Sequence, residues 1–135
     1  MSLGNTTETE ILNFIFDSAN PAWAANANFW IAMHTADPLE GGTATSFEAA
    51  YGSYARVPVS RTTGFNVVGN TVSNAALVQF PQSTLAGADL KFFSIVTTAS
   101  GAGQIILRGA LLSDLPTANG IQPQFVAGAL TAVVD

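Results

Sequence analysis

The chain has no cysteine and few charged residues, and each shortage excludes a class of protein. Without cysteine there are no disulfides and no thiolate metal sites. Charged residues make up 10% of the 135 positions, whereas soluble domains carry roughly 25%. Because the cores of protein interfaces are depleted in Lys, Glu and Asp, this composition favours a domain that buries much of its surface against partners.

Positive charge is the scarcest kind, and the formal net charge is −5. The basic residues are scattered along the sequence: Arg56, Arg61, Lys91 and Arg108. Nucleic-acid binding needs clustered positive charge, so we expect no direct contact with DNA or RNA. Polar residues or glycine also interrupt every apolar stretch before the ~20 residues that a membrane-spanning helix requires. We therefore expect no membrane association, and MSLGNTTETE lacks the basic region of a signal peptide.

Residues 1–28 are predicted to form an N-terminal arm with a short helix. The spacing of Thr7 and Glu10 predicts a capping box at the start of this helix. Asn20-Pro21 is expected to end it, because the residue before proline disfavours the α conformation. The apolar residues between them recur at helical spacing and form one stripe: Ile11, Leu12, Ile15 and Phe16. We expect this stripe to pack on the chain's own sandwich or on a neighbouring chain.

Residues 29–135 change to short apolar or alternating segments with turn signals every 8 to 12 residues. This spacing is typical of an antiparallel sandwich or small barrel. We predict a mainly β fold, an antiparallel β-sandwich of jelly-roll-like or immunoglobulin-like type with about seven or eight strands. Pro58 should lie on an edge strand or at a bulge, because proline cannot donate to a ladder.

Glycine-containing turns join several of these predicted strands. Gly69-Asn70 is expected to turn one hairpin, and ASGAG at 99–103 should join the two strongest strands. Near the C-terminus, we expect Phe125 to pack inward, a turn near Gly128 and a final strand over 129–135.

His34 is the only histidine, and Asp37 and Glu40 follow it closely. A metal site needs three or four converging ligands, and the chain offers no second imidazole. Asp37 precedes Pro38, where an aspartate commonly bonds its own backbone. We therefore predict no catalytic, metal or cofactor site, and interpret the stretch as a strand and a loop that a His34 hydrogen bond holds. An ion or acid–base site of His34 with Asp37 or Glu40 is the alternative.

Four aromatic residues are candidates for a sugar-binding platform or for interface anchors. Trp30 falls within a predicted strand, so we expect it in the core, whereas Trp23 lies in the arm. Tyr51 and Tyr54 flank Gly52 in a predicted loop, and we expect both to be exposed.

Several segments, taken in order, carry a resemblance to a known family: IAMHTADP, YGSYARVPVSR, NTVSNAALVQFP, ASGAGQIILRGAL and GIQPQFVAGALTAVVD. Over residues 30–135 this order resembles a family of small tailed-bacteriophage virion proteins, which are capsid decoration (cement) proteins or tail-fibre-like proteins. The resemblance implies no catalytic residues. The chain has Leu39 where the family usually has an acidic residue or glycine.

From this resemblance we expect a capsid decoration protein that stabilises the phage head by bridging subunits of the major capsid protein. It would be made in the host cytoplasm and lie on the outer capsid surface of the virion. The expected partners are the major capsid protein and copies of itself, as a homotrimer. The expected contact residues are Ile11, Leu12, Ile15, Phe16, Asp37, Tyr51 and Tyr54. The alternative is a tail-fibre or receptor-binding module, and an enzyme built on His34 comes third.

Overall fold

The computed structural model describes residues 2–134 and is mainly β. Helix α1 spans Asn5–Asp17, and a 3-10 turn spans Ala22–Ala25. The strands are β1 Ser2–Leu3, β2 Asn28–His34, β3 Val57–Ser60, β4 Phe65–Val68, β5 Thr71–Asn74, β6 Val78–Gln79, β7 Leu90–Val96, β8 Ile105–Leu115, β9 Gln124–Phe125 and β10 Thr131–Val133. The predicted mainly β fold with one short N-terminal helix is confirmed.

The strands form three antiparallel sheets that enclose one main core. The largest sheet has the order β1-β8-β7-β2-β3, the second β10-β5-β4, and β6 pairs with β9. Core side chains come from all three sheets, among them Ile31 of β2, Phe93 of β7 and Ala132 of β10. This arrangement is consistent with the predicted β-sandwich. Within residues 2–134, no helix has the length and apolar character needed to cross a membrane.

The predicted turns and edges lie where the sequence placed them. Pro58 is in β3, an edge strand of the five-stranded sheet, opposite Trp30. Val68 pairs with Thr71 across the Gly69-Asn70 turn, and Gly69 has φ +63°. A left-handed residue is what a two-residue hairpin turn requires. The segment 99–103 lies in the connection between β7 and β8.

The inward packing of Phe125 and the turn at Gly128 are confirmed, whereas the final strand is shorter than the predicted 129–135: β10 spans Thr131–Val133, and residue 135 lies outside the described residues. Phe125 is half-buried, and its ring centroid lies 6.3 Å from that of Phe80. Gly128 turns the chain with φ +78° before β10.

The predicted capping box is wrong. The N-cap of α1 is Gly4, and Thr7 lies inside the helix, where its Oγ1 donates to the Ile105 carbonyl at 2.9 Å. Glu10 accepts a hydrogen bond from Trp23 Nε1 at 2.6 Å. Both side chains therefore form hydrogen bonds with residues outside the helix, and not with the free amides of its first turn. The helix also ends earlier than predicted, because Ser18 takes a left-handed conformation with φ +54°.

The apolar stripe of the helix does not pack on the chain's own sandwich. Leu12 and Ile15 are 56% and 59% exposed, and Phe16 is 79% exposed; Ile11 is half-buried. The bonds of α1 to β8 and the 3-10 turn come from Thr7 and Glu10 in the first half of the helix, so the second half stands away from the core. Of the two expected locations for the stripe, the chain's own sandwich is wrong, and contact with a neighbour stays a prediction.

Candidate functional site

His34, at the end of β2, is fully buried and bonded through both ring nitrogens. Its Nδ1 lies 2.8 Å from the Ser46 carbonyl oxygen and its Nε2 lies 2.7 Å from Ser94 Oγ. A carbonyl only accepts, so Nδ1 carries the proton and Nε2 accepts from the Ser94 hydroxyl. Burial lowers the pKa of His34, which keeps the ring neutral. The predicted role of His34, holding the following loop by a hydrogen bond, is confirmed.

Asp37 and Glu40 interact with Arg108, on β8, and not with His34. Asp37 Oδ1 accepts from the Leu39 amide at 2.9 Å, which is the predicted bond to its own backbone. Arg108 Nη1 donates to the two carboxylate oxygens of Asp37 at 2.7 and 2.8 Å, and Arg108 Nη2 lies 3.5 Å from Glu40 Oε1. No cluster of His, Asp and Glu within residues 2–134 could hold a metal ion.

A buried ion pair that the sequence did not reveal lies close to His34. Arg56 is 7% exposed, and its Nε and Nη2 donate to Glu48 Oε1 and Oε2 at 2.6 and 2.8 Å. Its remaining donors reach the Thr98 carbonyl at 3.0 Å, Thr98 Oγ1 at 3.2 Å and the Gly101 carbonyl at 2.7 Å. Each N–H group of the guanidinium therefore has an acceptor, and the side chain joins the β2–β3 loop to the β7–β8 loop. The sequence feature that could have indicated this ion pair is an arginine directly before an apolar strand, in a chain with few charged residues.

Tyr51 belongs to the buried core and Tyr54 is partly buried against it, so the expectation that both are exposed is wrong. Tyr51 is 4% exposed and its hydroxyl donates to the Pro81 carbonyl at 3.0 Å. The Tyr54 hydroxyl accepts from the Met33 amide at 3.0 Å and donates to Glu48 Oε1 at 3.1 Å. Burial raises the pKa of Tyr51 to about 12 and also raises the pKa of Tyr54.

The two tyrosines are buried because the 49–54 loop folds over the core edge. The rings of Tyr51 and Tyr54 meet edge to face at 5.3 Å, and the Tyr54 ring stacks on Phe80 at 6.1 Å. Aromatic rings in such pairs gain stability beyond their buried area. Trp30 packs against a smaller buried cluster that includes Val96 and Ile105, as predicted for a core residue. These rings offer no exposed platform for a sugar.

Arg61 fixes the connector between α1 and β2. Its Nη1 donates to the carbonyls of Trp23 and Asn26 at 2.9 and 3.0 Å, and its guanidinium lies 5.5 Å from the Trp23 ring centroid and 4.8 Å from that of Phe29. Stacking of a guanidinium on an aromatic face is attractive. These contacts hold the connector, from Trp23 to Asn26, against Arg61.

Among the apolar side chains that residues 2–134 expose to solvent, two groups lie on α1 and next to β8. The first, which we call the α1 face, consists of Leu12, Ile15 and Phe16, which share one side of the helix and are each more than half exposed. The second is a groove of about 290 Å³ between β8 and the segment leading into β10, which we call the β8 groove. Its apolar lining includes Phe93, Leu111, Leu115, Phe125 and Leu130. Leu112, on the same groove, is fully exposed.

A comparison with known protein families gives a match over nearly the whole chain. A family model described as "Podophage GP4 fiber I protein gp80" matches residues 2–133, which includes the arm that the sequence resemblance left out. No curated protein matches the chain. The match identifies a structural protein of the phage virion and indicates a non-enzymatic role. The chain belongs to the family of podophage GP4 fiber I protein gp80.

Proposed function

We propose that the chain is a structural component of a podophage tail fibre, held in the particle by protein–protein contacts. The observation that carries this proposal is the family match over residues 2–133, whose description names a fibre protein. The low charge and the exposed α1 face and β8 groove support a role in assembly, because such surfaces mark interaction sites.

The buried polar groups support a structural role as well. His34 is bonded at both nitrogens, and the Glu48 carboxylate is shared by Arg56 and Tyr54. Catalytic groups need a free donor or acceptor that can reach a substrate. Here the same groups connect loops to strands, which fixes the shape of one end of the sandwich.

Location and copy number in purified virions test the proposal. We expect an antibody against the chain to label the tail, and quantitative mass spectrometry to give tens of copies per particle or fewer. Label over the head with hundreds of copies would overturn the fibre assignment.

That second result would favour the alternative function, capsid decoration on the outer head surface with the major capsid protein as partner. The composition supports this alternative, because a cement protein also buries much of a weakly charged surface across joints between subunits. A homotrimer is proposed for both functions, since repeated contacts among identical copies add through avidity. Adding the purified chain to heads that lack it distinguishes the two functions, because only a decoration protein rebinds.

A further inference from the structure

Asn119 and Gly120 lie in an exposed turn in the connection between β8 and β9. Asn119 is the only asparagine in the sequence that a glycine follows. The Ile121 amide donates to the Ala118 carbonyl at 3.0 Å, which closes a four-residue turn. Gly120 has φ +87° at the third position of this turn, a conformation that type II turns reserve for glycine. The fold therefore requires the glycine that follows Asn119.

This pair of residues has the two groups that an intramolecular attack on an amide needs. The main-chain nitrogen of Gly120 can attack Cγ of Asn119, because glycine has no Cβ to obstruct the approach. A bond forms between this nitrogen and Cγ, the bond from Cγ to the side-chain nitrogen breaks, and the Gly120 proton leaves with that nitrogen as ammonia. Water then opens the cyclic imide at one of its ring C–N bonds, giving its hydroxyl to the carbon and its proton to the nitrogen. Opening at Cγ gives aspartate, and opening at the main-chain carbonyl carbon gives isoaspartate.

In the native turn the attacking nitrogen is held by a hydrogen bond. The Gly120 N–H donates to the Ser83 carbonyl at 2.8 Å, and the Gly120 carbonyl accepts from Gln82 Nε2 at 2.7 Å. The Ser83 amide in turn donates to the Ile121 carbonyl at 2.8 Å. The attack therefore requires the turn to separate from residues 82–83. Local opening of a short exposed segment costs less free energy than global unfolding.

We propose that Asn119 is a site of spontaneous deamidation, which the hydrogen bonds of Gly120 to residues 82–83 keep closed in the native chain. The native chain converts at the rate of the unfolded chain multiplied by the fraction of molecules whose turn is open, because opening and closing are fast relative to the chemistry. Water is the co-reactant, and the step involves no oxidation or reduction. The inference concerns the chain itself and holds for a fibre or a head location.

Conversion changes both the charge and the main chain of the turn. Either product has a carboxylate in place of the Asn119 amide, which adds one negative charge to the formal net charge of −5. Isoaspartate also lengthens the main chain before Gly120 by one carbon atom, so the bonds of the turn lose their present spacing. These bonds continue the β6–β9 pairing, since the Phe80 amide donates to the Pro123 carbonyl at 2.9 Å. Conversion to isoaspartate therefore weakens the pairing at this end of the sandwich.

The first experiment compares conversion in the native chain with conversion in guanidinium chloride above the unfolding midpoint, at pH 8 and 37 °C. Peptide mass spectrometry measures a gain of about 1 Da at Asn119 as nitrogen is exchanged for oxygen. We expect the unfolded chain to convert at least about ten times faster than the native chain. Asn70 is the internal control, because it is exposed in a turn but precedes Thr71, whose branched Cβ hinders the attack; it should convert far more slowly than Asn119 in the unfolded chain. Equal native and unfolded rates, or no gain at Asn119 in the unfolded chain, would overturn the inference.

The second experiment removes one hydrogen bond of the turn. In Gln82→Ala the Gly120 carbonyl loses its bond to Gln82, so native conversion at Asn119 should rise several-fold, while conversion in guanidinium chloride should equal that of the wild type. Gln79→Ala is the matched control, because Gln79 is also exposed and its Nε2 donates to Gln124 Oε1 at 3.2 Å, outside the turn. Its native rate should equal the wild-type rate. Equal native rates in the two variants would overturn the inference that these bonds keep the site closed. Either result leaves the fibre assignment, which depends on virion location, unaffected.

Discussion

At the residue scale, the polar side chains that looked like a site are parts of the scaffold. His34 occupies a buried position where only its neutral form is accommodated, and Glu48 and Arg56 neutralise each other in the same region. Burying a charge is costly unless it is paired.

Stability should fall on acidification because of His34. Burial lowers its pKa below the ordinary value of 6.5, so the unfolded chain takes up a proton at a higher pH than the native chain does. The free energy of unfolding is therefore fully retained above pH 6.5 and decreases as the pH falls toward the native pKa. Urea unfolding at pH 7.5 and pH 5.0 measures this loss. In His34→Gln, which keeps a donor and an acceptor, this loss of stability should be smaller. An equal loss in both proteins would show that the carboxylates, and not His34, cause it.

Removing the Glu48 charge should be far more damaging than removing an exposed one. Glu48→Gln leaves the Arg56 guanidinium buried without its counter-charge, and breaking a buried pair costs about 3–5 kcal/mol. The matched control is Asp114→Asn, because its partner Lys91 is half exposed and such pairs contribute about 1 kcal/mol or less. Chemical unfolding gives both values. Similar losses in the two variants would contradict the structural role of Arg56.

At the scale of elements, the position of the N-terminal arm depends on a close contact between the backbone of Gly4 and that of β8. Gly4 joins β1 to α1, and an added Cβ would lie 2.3 Å from the Ile105 carbonyl oxygen. This atom belongs to the backbone of β8 and cannot move aside. The residue is therefore the point where the helix is fixed against the main sheet.

Gly4→Ala should destabilise the protein by about 1–3 kcal/mol, the usual cost of overpacking. Because the clash lies under α1, hydrogen exchange should increase first in the amides of the helix. Gly41→Ala is the control, since its Cβ would have only Asn5 Nδ2 nearby, at 3.7 Å, and it should change stability by less than about 0.5 kcal/mol. Exchange that increases evenly over the whole chain would show that α1 is not a separate unit.

The strands were more predictable from the sequence than the arm was. Strands and turns depend on short sequence patterns, such as alternating apolar residues, Pro58 and Gly69-Asn70. Each of these patterns can be recognised within a few neighbouring residues. Thr7 and Glu10 have the spacing of a capping box, but Ile105, Gln104 and Trp23 offered partners that are distant in sequence. Tyr51 and Tyr54 occur in a loop, and only the tertiary fold shows that this loop closes over Phe80. Local pattern predicted the elements, and long-range contacts decided which side chains they bury.

At the scale of the whole molecule, the proposed association of copies would couple assembly to stability. A partner that binds only the native state raises the apparent stability by an amount that grows with the logarithm of its concentration. The thermal midpoint of the wild type should therefore rise with protein concentration. For Ile15→Ser/Phe16→Ser it should stay constant, because the variant lacks the α1 face. A constant midpoint for both proteins would indicate that copies do not associate in their native state.

The hydrogen bonds of Arg56 also restrict the positions at which a peptide can be inserted into the chain. The β7–β8 connection is exposed and glycine-rich, and Gly101 has open space around it, which makes it look suited to an inserted tag. Yet the guanidinium holds the carbonyls of Thr98 and Gly101, so an insertion between them would separate two atoms that one planar group must reach. A peptide inserted there would disturb Glu48 in the opposite loop as well, and labelling this protein calls for a different position.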